Sequence, residues 1–271
     1  MLVKVNDCVL HYDLLGPETG EVVCFLHSLS SDTGVWAEQV YPLLAEGWRV
    51  LRLDMRGHGG SHAGDDDFSM KDLANDIAGI LDFLDIEKIH LVGLSIGGMI
   101  AQCFAIQYGQ RLHSLMLCGT APTRLGGSFD EMWAPRFALM DTSGSVEPLA
   151  DASMERWVTD SFKPEHPGKW QQIRDTVAQT STEGYRGGGI AIDKFDVVDQ
   201  LPQVAVRTLV VCGDQDPGTP PEGNRRIAEL IPGAQYLEIP NARHFPMVEY
   251  PELFNRVMMG WLDRGLVAAL N

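Results

Sequence analysis

The sequence has little positive charge. It contains 21 lysine and arginine residues against 37 aspartate and glutamate residues, so its formal net charge is −16. Nucleic acids and anionic membrane surfaces are bound through basic patches. The charge balance therefore argues against both as partners, although it leaves room for a local positive pocket.

Paired cysteines and long apolar runs are also missing. No two cysteines form a Cys-x-x-Cys arrangement, and most of the five lie within apolar runs: Cys8, Cys24, Cys103, Cys118 and Cys212. Such cysteines are typical of small buried side chains rather than of a disulfide framework. The chain does not begin with a charged segment followed by an apolar core, and no apolar run is long enough to cross a membrane. We therefore expect no signal peptide, no membrane span and a cytoplasmic location.

Signatures of cofactor and metal sites are absent as well. No Gly-x-Gly-x-x-Gly follows a predicted strand, and no His-x-His-x-Asp-His cluster occurs, so neither a nucleotide site nor a metallo-lactonase centre is predicted. His58 and His62 lie four residues apart, close to residues 65–67, which are all aspartate. Ligands with this spacing meet on a helix, but Gly59 and Gly60 oppose a helix there. We expect a solvated loop, no metal and no cofactor.

Buried strands and amphipathic helices alternate along most of the chain. An initial hairpin is predicted with Asn6 and Asp7 as its turn. Helical periodicity begins at a Ser69 N-cap, again after Ser95, and twice more near the end of the chain. Six apolar runs predict strands buried on both faces: residues 21–27, 48–54, 88–93, 112–120, 207–214 and 234–240. This order predicts an α/β protein with a doubly wound, mostly parallel sheet.

Residues 122–206 interrupt this alternation. They contain helical patches but no convincing buried-strand run, and they are too many for a loop. We predict a helical cap inserted before the late strands and lying over the strand ends. Residues 1–121 and 207–271 would form the core.

Ser95 stands among glycines where a strand should end and a helix begin. A tight strand-to-helix turn strains its central residue, and the two elements approach closely only if the flanking residues are small. Gly93, Gly97 and Gly98 meet that condition. The Ser95 hydroxyl would project above the sheet edge, near helix N–H groups that favour negative charge. This pattern predicts a nucleophile for acyl transfer.

A serine nucleophile needs a base, and the base needs an acid to orient it. In this architecture the acid and then the histidine follow later strands. Asp214 and Asp216 both follow the fifth apolar run, and His244 is the last histidine of the chain. Asp214 abuts the strand end, where it can cap the turn, so we prefer Asp216. The predicted triad is Ser95, Asp216 and His244.

Two backbone N–H groups should stabilise the oxyanion of such a reaction. Ile96 directly follows the serine, and Leu29 lies in the loop after the first apolar run. We predict their N–H groups as the two donors. His27, at the start of that loop, is expected to support it by hydrogen bonding.

The cap contains candidate substrate-binding residues. Trp133 and Arg136 are three apart and would share one face of a helix. The tryptophan could pack on a substrate and the arginine could bind a substrate carboxylate, while a packing tryptophan and a surface arginine are the alternative. Arg186 is the next candidate cation. Trp36 and Trp157 are interpreted as packing residues.

The chain resembles the α/β-hydrolases over nearly its whole length, and five segments fall where the blocks of that fold occur. They are "HSLSSDTGVW", "LDMRGHGGS", "GLSIGGMIAQ", "GDQDPGTPP" and "ARHFPMVEYPELF". Within that fold the sequence resembles the 3-oxoadipate enol-lactonases, and the likeness extends to the cap segments "MWAPR", "RWVTDSF" and "STEGYRGGGIAIDKFD".

The resemblance implies a cofactor-free serine hydrolase that opens a small lactone, with its triad on Ser95, Asp216 and His244. A small ester or lactone is then the expected partner. N-acyl-homoserine lactonases and general carboxylesterases share these motifs and remain alternatives. A cofactor-free haloperoxidase or perhydrolase, and a ligand receptor on a hydrolase fold, are further alternatives.

Overall fold

The computed structural model describes residues 1–64, 67–124 and 126–264. Within these residues the strands are β1 Leu2–Val5, β2 Cys8–Leu15, β3 Val22–Leu26, β4 Arg49–Leu53, β5 Ile89–Leu94, β6 Leu112–Cys118, β7 Thr208–Gly213 and β8 Gln235–Ile239. They form one eight-stranded sheet in the order β1-β2-β4-β3-β5-β6-β7-β8. The β2 strand pairs antiparallel with β1 and β4, and all other pairs are parallel. The predicted mostly parallel, doubly wound sheet is confirmed.

Helices separate the parallel strands. Over the same ranges they are α1 Ala37–Ala45, α2 Met70–Phe83, α3 Ile96–Tyr108, α4 Phe129–Met132, α5 Ala134–Ser143, α6 Ala150–Trp157, α7 Phe162–Glu165, α8 Pro167–Gln179, α9 Thr182–Asp193, α10 Pro221–Leu230, α11 Pro246–Glu249 and α12 Pro251–Arg264. The Ser69 N-cap of α2 is confirmed, because its hydroxyl accepts from the Asp72 N–H and the Asp72 carboxylate accepts from the Ser69 N–H.

The first hairpin follows its prediction. Asn6 and Asp7 have φ of 46° and 61°, and the residues on either side, Val5 and Cys8, are paired. Positive φ at both central residues matches the twist of the flanking strands, and asparagine and aspartate tolerate it.

The sheet separates two apolar layers. Side chains alternate along the fully buried β3, so Cys24 packs in the layer with α2 and α3, and Phe25 packs with α1 and α12. Trp36 lies fully buried against Phe25 and Phe254, which confirms it as a packing residue. The five cysteines are free and buried, as predicted.

Burial on both faces is a wrong prediction for the last strand. Most side chains of β8 are only partly buried. The strand lies at the edge of the sheet, where it has a neighbour on one side only. Two of its five residues, Gln235 and Glu238, are polar, which is a sequence signal of this partial exposure.

Helices α4 to α9 form the segment between β6 and β7. They carry the helical patches that the sequence indicated. The division into a cap of residues 122–206 and a two-part core stays a prediction, and residues 265–271 of that core lie outside the described residues. In the portions of the chain that the structure covers, no helix combines the length and the apolar character needed to cross a membrane.

The loop with His58 is less exposed than expected. His58 is buried, its Nδ1–H donates to the Arg56 carbonyl at 2.9 Å, and burial lowers its pKa to about 3. His62 is exposed, while Asp65 and Asp66 lie outside the described residues. The described ranges contain no group of three His, Cys, Asp or Glu side chains that could hold a metal. The prediction of a solvated loop is therefore wrong at His58.

Candidate active site

Ser95 occupies the turn between β5 and α3. Its backbone has φ of 57° and ψ of −118°, a conformation that is strained for a residue with a side chain. The Ser95 N–H donates to the Cys118 carbonyl at 2.9 Å, and the Thr120 hydroxyl donates to the Ser95 carbonyl at 2.7 Å. The neighbouring strand β6 and the residues that follow it therefore hold the strained turn from both sides.

Small residues around Ser95 allow close approach of the backbone. A Cβ atom on Gly97 would lie 2.6 Å from the Leu26 carbonyl oxygen and 2.7 Å from that of His27. A Cβ atom on Gly93 would lie 2.3 Å from the Gly97 carbonyl oxygen. These distances confirm the packing reason inferred for the glycines around Ser95.

Replacing Gly97 with alanine should destabilise the protein. The new methyl group forces the end of β3 away from α3, and overpacking of this kind costs about 1–3 kcal/mol. The free energy of unfolding measures the effect. Gly109→Ala is the matched control, because Gly109 follows the other end of α3 and has no atom within 4 Å of its added Cβ. Equal stability of the two variants would contradict the close-packing argument.

Asp216 and His244 form a buried, hydrogen-bonded pair. The His244 Nδ1–H donates to Asp216 Oδ2 at 2.7 Å. Asp216 also accepts from the N–H groups of Gly218 and Thr219, at 2.8 and 3.0 Å, and from the Thr219 hydroxyl at 2.7 Å. Burial opposes ionisation of this carboxyl, but attraction to His244 and these hydrogen bonds outweigh it and lower its pKa. Asp216 is thus held as a carboxylate.

The two candidate acids differ in their surroundings. Asp214 is exposed, and its N–H donates to the Ile239 carbonyl at 3.1 Å. Asp216, two residues later, is 3 % exposed and carries the bond to His244. The geometry therefore pairs the histidine with Asp216.

The sequence interpretation missed Thr219 and Asn224. Asn224 is fully buried, accepts from the Thr120 N–H at 2.9 Å and donates to the Thr219 carbonyl at 2.8 Å. It joins the residues after β6, which hold Ser95, to the loop that holds Asp216. The short spacing of Asp216 and Thr219 is a signal that could have identified the threonine, because such pairs form local turns.

The loop after β3 is fixed by hydrogen bonds. His27 Nε2 accepts from the Met55 N–H at 3.0 Å, so its Nδ1 carries the proton and donates to the Ser28 carbonyl at 2.8 Å. The Ser31 hydroxyl accepts from the Ser28 N–H at 3.1 Å. The supporting role expected of His27 is confirmed.

Leu29 and Ile96 offer backbone donors beside Ser95. Leu29 lies in this loop and lines the same cavity as Ser95. Ile96 is the first residue of α3, where an N–H has no partner within the helix. Among the residues that the structure describes, neither N–H is hydrogen-bonded to an acceptor.

A cavity of about 190 Å³ is lined by Ser95 and His244 and by residues of the segment between β6 and β7. Trp133 and Arg136 also line it, and the guanidinium carbon of Arg136 lies 5.1 Å from the centre of the Trp133 ring. The segment between β6 and β7 contributes Met132, Trp133, Arg136, Ser153, Arg156, Trp157, Tyr185 and Ile192. Both cap residues selected from the sequence are therefore pocket residues.

Arg156 is a second cavity cation, which the sequence interpretation missed. Its guanidinium donates to the Ser153 hydroxyl at 3.2 Å, and burial together with repulsion from Arg136 lowers its pKa. Within the described chain, neither Arg136 nor Arg156 forms an ion pair with a carboxylate. The Ser153–Arg156 spacing equals that of Trp133 and Arg136, and the same argument could have identified it.

Two other interpretations need correction. Arg186 is not a cavity residue, because its guanidinium lies 2.5 Å from the Asp141 carboxylate and 4.7 Å from the centre of the Phe137 ring. Trp157 does more than pack: it stacks on Phe245 with 4.4 Å between ring centres and also lines the cavity.

The comparison with known families agrees with this fold. The family model described as the alpha/beta hydrolase fold matches residues 21–251. The chain belongs to this family, and it is a hydrolase.

Within the family, the chain is similar to proteins named as enol-lactonases. It is 29% identical over 262 residues to 3-oxoadipate enol-lactonase 1 of Acinetobacter baylyi, covering 97% of this chain and 96% of the relative. It matches the crystal structure of the enol-lactonase from Burkholderia xenovorans LB400 with a TM-score of 0.91 and 33% identity, covering 97% and 99% of the two chains. It also matches a malate-bound thermophilic esterase from Thermogutta terrifontis with a TM-score of 0.87 and 31% identity, covering 94% and 93%.

Proposed function

We propose that this chain is a cofactor-free serine hydrolase that opens a small lactone or cleaves a small carboxylic ester. The observation that carries the proposal is that Ser95 and His244 line the same cavity, while Asp216 accepts a hydrogen bond from Nδ1–H of the histidine. The similarity to enol-lactonases and to an esterase supports the same bond type.

In the proposed mechanism His244 Nε2 takes the proton of the Ser95 hydroxyl, and the serine oxygen attacks the substrate carbonyl carbon. The N–H groups of Leu29 and Ile96 stabilise the resulting oxyanion. The intermediate collapses, the carbon–oxygen bond of the ester or lactone breaks, and His244 returns the proton to the leaving oxygen. Water, deprotonated by His244, then attacks the acyl-enzyme, the bond between the acyl carbon and the Ser95 oxygen breaks, and His244 gives its proton to that oxygen.

Asp216 gives His244 the tautomer that this mechanism requires. Because Asp216 accepts the hydrogen bond from Nδ1–H, the Nε2 atom keeps its lone pair and can accept the serine proton. Asp216 also stabilises the imidazolium that forms in the first step.

We further propose that the substrate is a lactone that carries a free carboxylate, as an enol-lactonase substrate of this kind would. A chain with a net charge of −16 repels such a substrate at long range, so local cations are needed. Arg136 and Arg156 supply two guanidinium groups in the cavity without a carboxylate of the described chain as ion-pair partner. A substrate carboxylate would provide the missing charge complement.

Arg136→Ala should raise KM strongly for a carboxylate-bearing lactone and hardly at all for a neutral ester of similar size. Loss of a charge-assisted hydrogen bond costs about 1.5–3 kcal/mol, which is about 10- to 150-fold in KM. Arg156→Ala should likewise raise KM for the carboxylate-bearing lactone more than KM for the neutral ester. Arg186→Ala is the matched control, since that arginine lies outside the cavity.

Equal changes of KM for the charged and the neutral substrate would remove Arg136 from the substrate site. That result would favour a neutral ester or an N-acyl-homoserine lactone. The bond type itself is tested by a screen of lactones and of short to medium acyl esters, with Ser95→Ala as the blank. Turnover of none of them above that blank would overturn the proposed function.

A further inference from the structure

The Glu249 carboxylate joins the cap to the loop of His244. Its Oε1 accepts from the Thr159 N–H at 2.7 Å and from the Thr159 hydroxyl at 2.6 Å. Its Oε2 accepts from the Arg243 N–H at 2.7 Å. Thr159 follows α6 of the cap, and Arg243 directly precedes His244. One partly buried carboxylate therefore bonds to both segments.

The Arg243 side chain strengthens the same connection. Its guanidinium donates to the carbonyls of Glu155 and Val158, at 2.8 and 3.0 Å, and to the Asp160 carboxylate at 2.9 Å. The two carbonyls belong to the C-terminal end of α6, where a cation is favoured.

Phe245, on the other side of His244, also contacts α6. Its N–H donates to the Trp157 carbonyl at 2.9 Å, and its ring stacks on that of Trp157. Both chain neighbours of His244 are thus bonded to the helix end that presents Arg156 and Trp157 to the cavity.

We infer that Glu249 is a positioning residue, which fixes the His244 loop against α6 so that the imidazole and this wall of the cavity keep one relative geometry. The inference rests on the proposed function, because it takes His244 as the base. It follows from donor and acceptor chemistry: three donors converge on two oxygens, and a carboxylate is the side chain that accepts at both. Burial raises the pKa of the Glu249 carboxyl, and the hydrogen bonds from Thr159 and Arg243 oppose that rise.

Glu249→Gln tests the inference with almost no change in shape. If its remaining oxygen faces Thr159, its NH₂ group faces the Arg243 N–H, and a donor then meets a donor. The opposite orientation loses Thr159 instead. We expect kcat for a neutral acetyl ester to fall about 10- to 100-fold, because small misplacements of a catalytic group have effects of this size. The KM for this small substrate should stay near the wild-type value.

Matched variants separate positioning from general stability. Glu252→Gln changes an exposed glutamate three residues along the chain and should leave kcat unchanged. Thr159→Val removes the hydroxyl hydrogen bond to Glu249 and should give a kcat between those of wild type and Glu249→Gln. Thr159→Ser keeps both the N–H and the hydroxyl donor and should have the wild-type kcat. All rates are measured well below each variant's unfolding temperature, with circular dichroism as the check on folding.

A second readout is the rate at which an organophosphate ester such as paraoxon phosphorylates Ser95. This step also needs His244 as base, so it should slow in parallel with kcat. A Glu249→Gln variant that unfolds at lower temperature but keeps the wild-type kcat and phosphorylation rate would overturn the inference. If Glu249→Gln does not fold, wild-type kcat in Thr159→Val would overturn it. Failure of the proposed function has a different signature: the wild-type protein would then not be phosphorylated at Ser95.

Discussion

Ser95→Ala should lose nearly all hydrolysis while the protein remains folded. The substitution removes the nucleophilic oxygen but leaves the hydrogen bonds of the Ser95 backbone to Cys118 and Thr120 in place. Loss of a triad serine lowers turnover about a million-fold in a serine hydrolase. Steady-state rates with an activated ester measure the effect, and circular dichroism reports the fold.

The matched control for this experiment is Ser30→Ala. Ser30 lines the same cavity, also has a positive φ, of 62°, and its buried hydroxyl has no hydrogen-bond partner among the described residues. It should keep most of the wild-type turnover. A Ser95→Ala variant with roughly a tenth of the wild-type activity would rule out Ser95 as the nucleophile, because residual catalysis by the rest of the site is far smaller.

Asp216→Asn should lower turnover on the order of ten thousand-fold, and Asp214→Asn should change it little. An asparagine amide at position 216 can donate to Nδ1 of His244, which leaves the proton on Nε2 and removes the lone pair that should accept the serine proton. Burial opposes ionisation of Asp216, but attraction to His244 and the hydrogen bonds to the carboxylate outweigh it and hold its pKa below the ordinary value, so the wild-type carboxylate stays charged throughout a neutral assay.

The ratio of kcat values for the two asparagine variants is the deciding measurement. Asp214 serves as the control because it is exposed and lies only two residues away. The reverse ranking would assign the orienting acid to Asp214 and would contradict the role proposed for the Asp216–His244 bond.

The order of the site residues could be predicted because local rules determine it. The turn at Ser95 depends on its immediate neighbours, and Asp216 and His244 follow strands that the apolar runs mark clearly. Arg156 could not be assigned in the same way. Which face of α6 meets the cavity depends on bonds from Arg243 and Glu249, which lie 85 and 90 residues away from their partners Val158 and Thr159.

Burial of individual residues was harder to predict than element order. His58 is buried although its glycine-rich sequence indicates an exposed loop, and β8 is partly exposed although residues 234–240 were interpreted as a strand buried on both faces. Both outcomes depend on which other elements pack nearby. The same reason separates Arg186, which pairs with Asp141, from the cavity arginines.

The two guanidinium groups of the cavity have a consequence for the end of the reaction cycle. Hydrolysis converts a neutral ester or lactone carbonyl into a carboxylic acid that ionises near neutral pH. On the proposed function, the product therefore carries one more negative charge than the substrate, inside a cavity whose cations Arg136 and Arg156 repel each other when no anion lies between them. The same cations that attract the substrate then retain the product more strongly. Product departure rather than bond cleavage would then limit turnover. Accumulated product would inhibit the enzyme at low ionic strength, and this inhibition would weaken as added salt screens the charges.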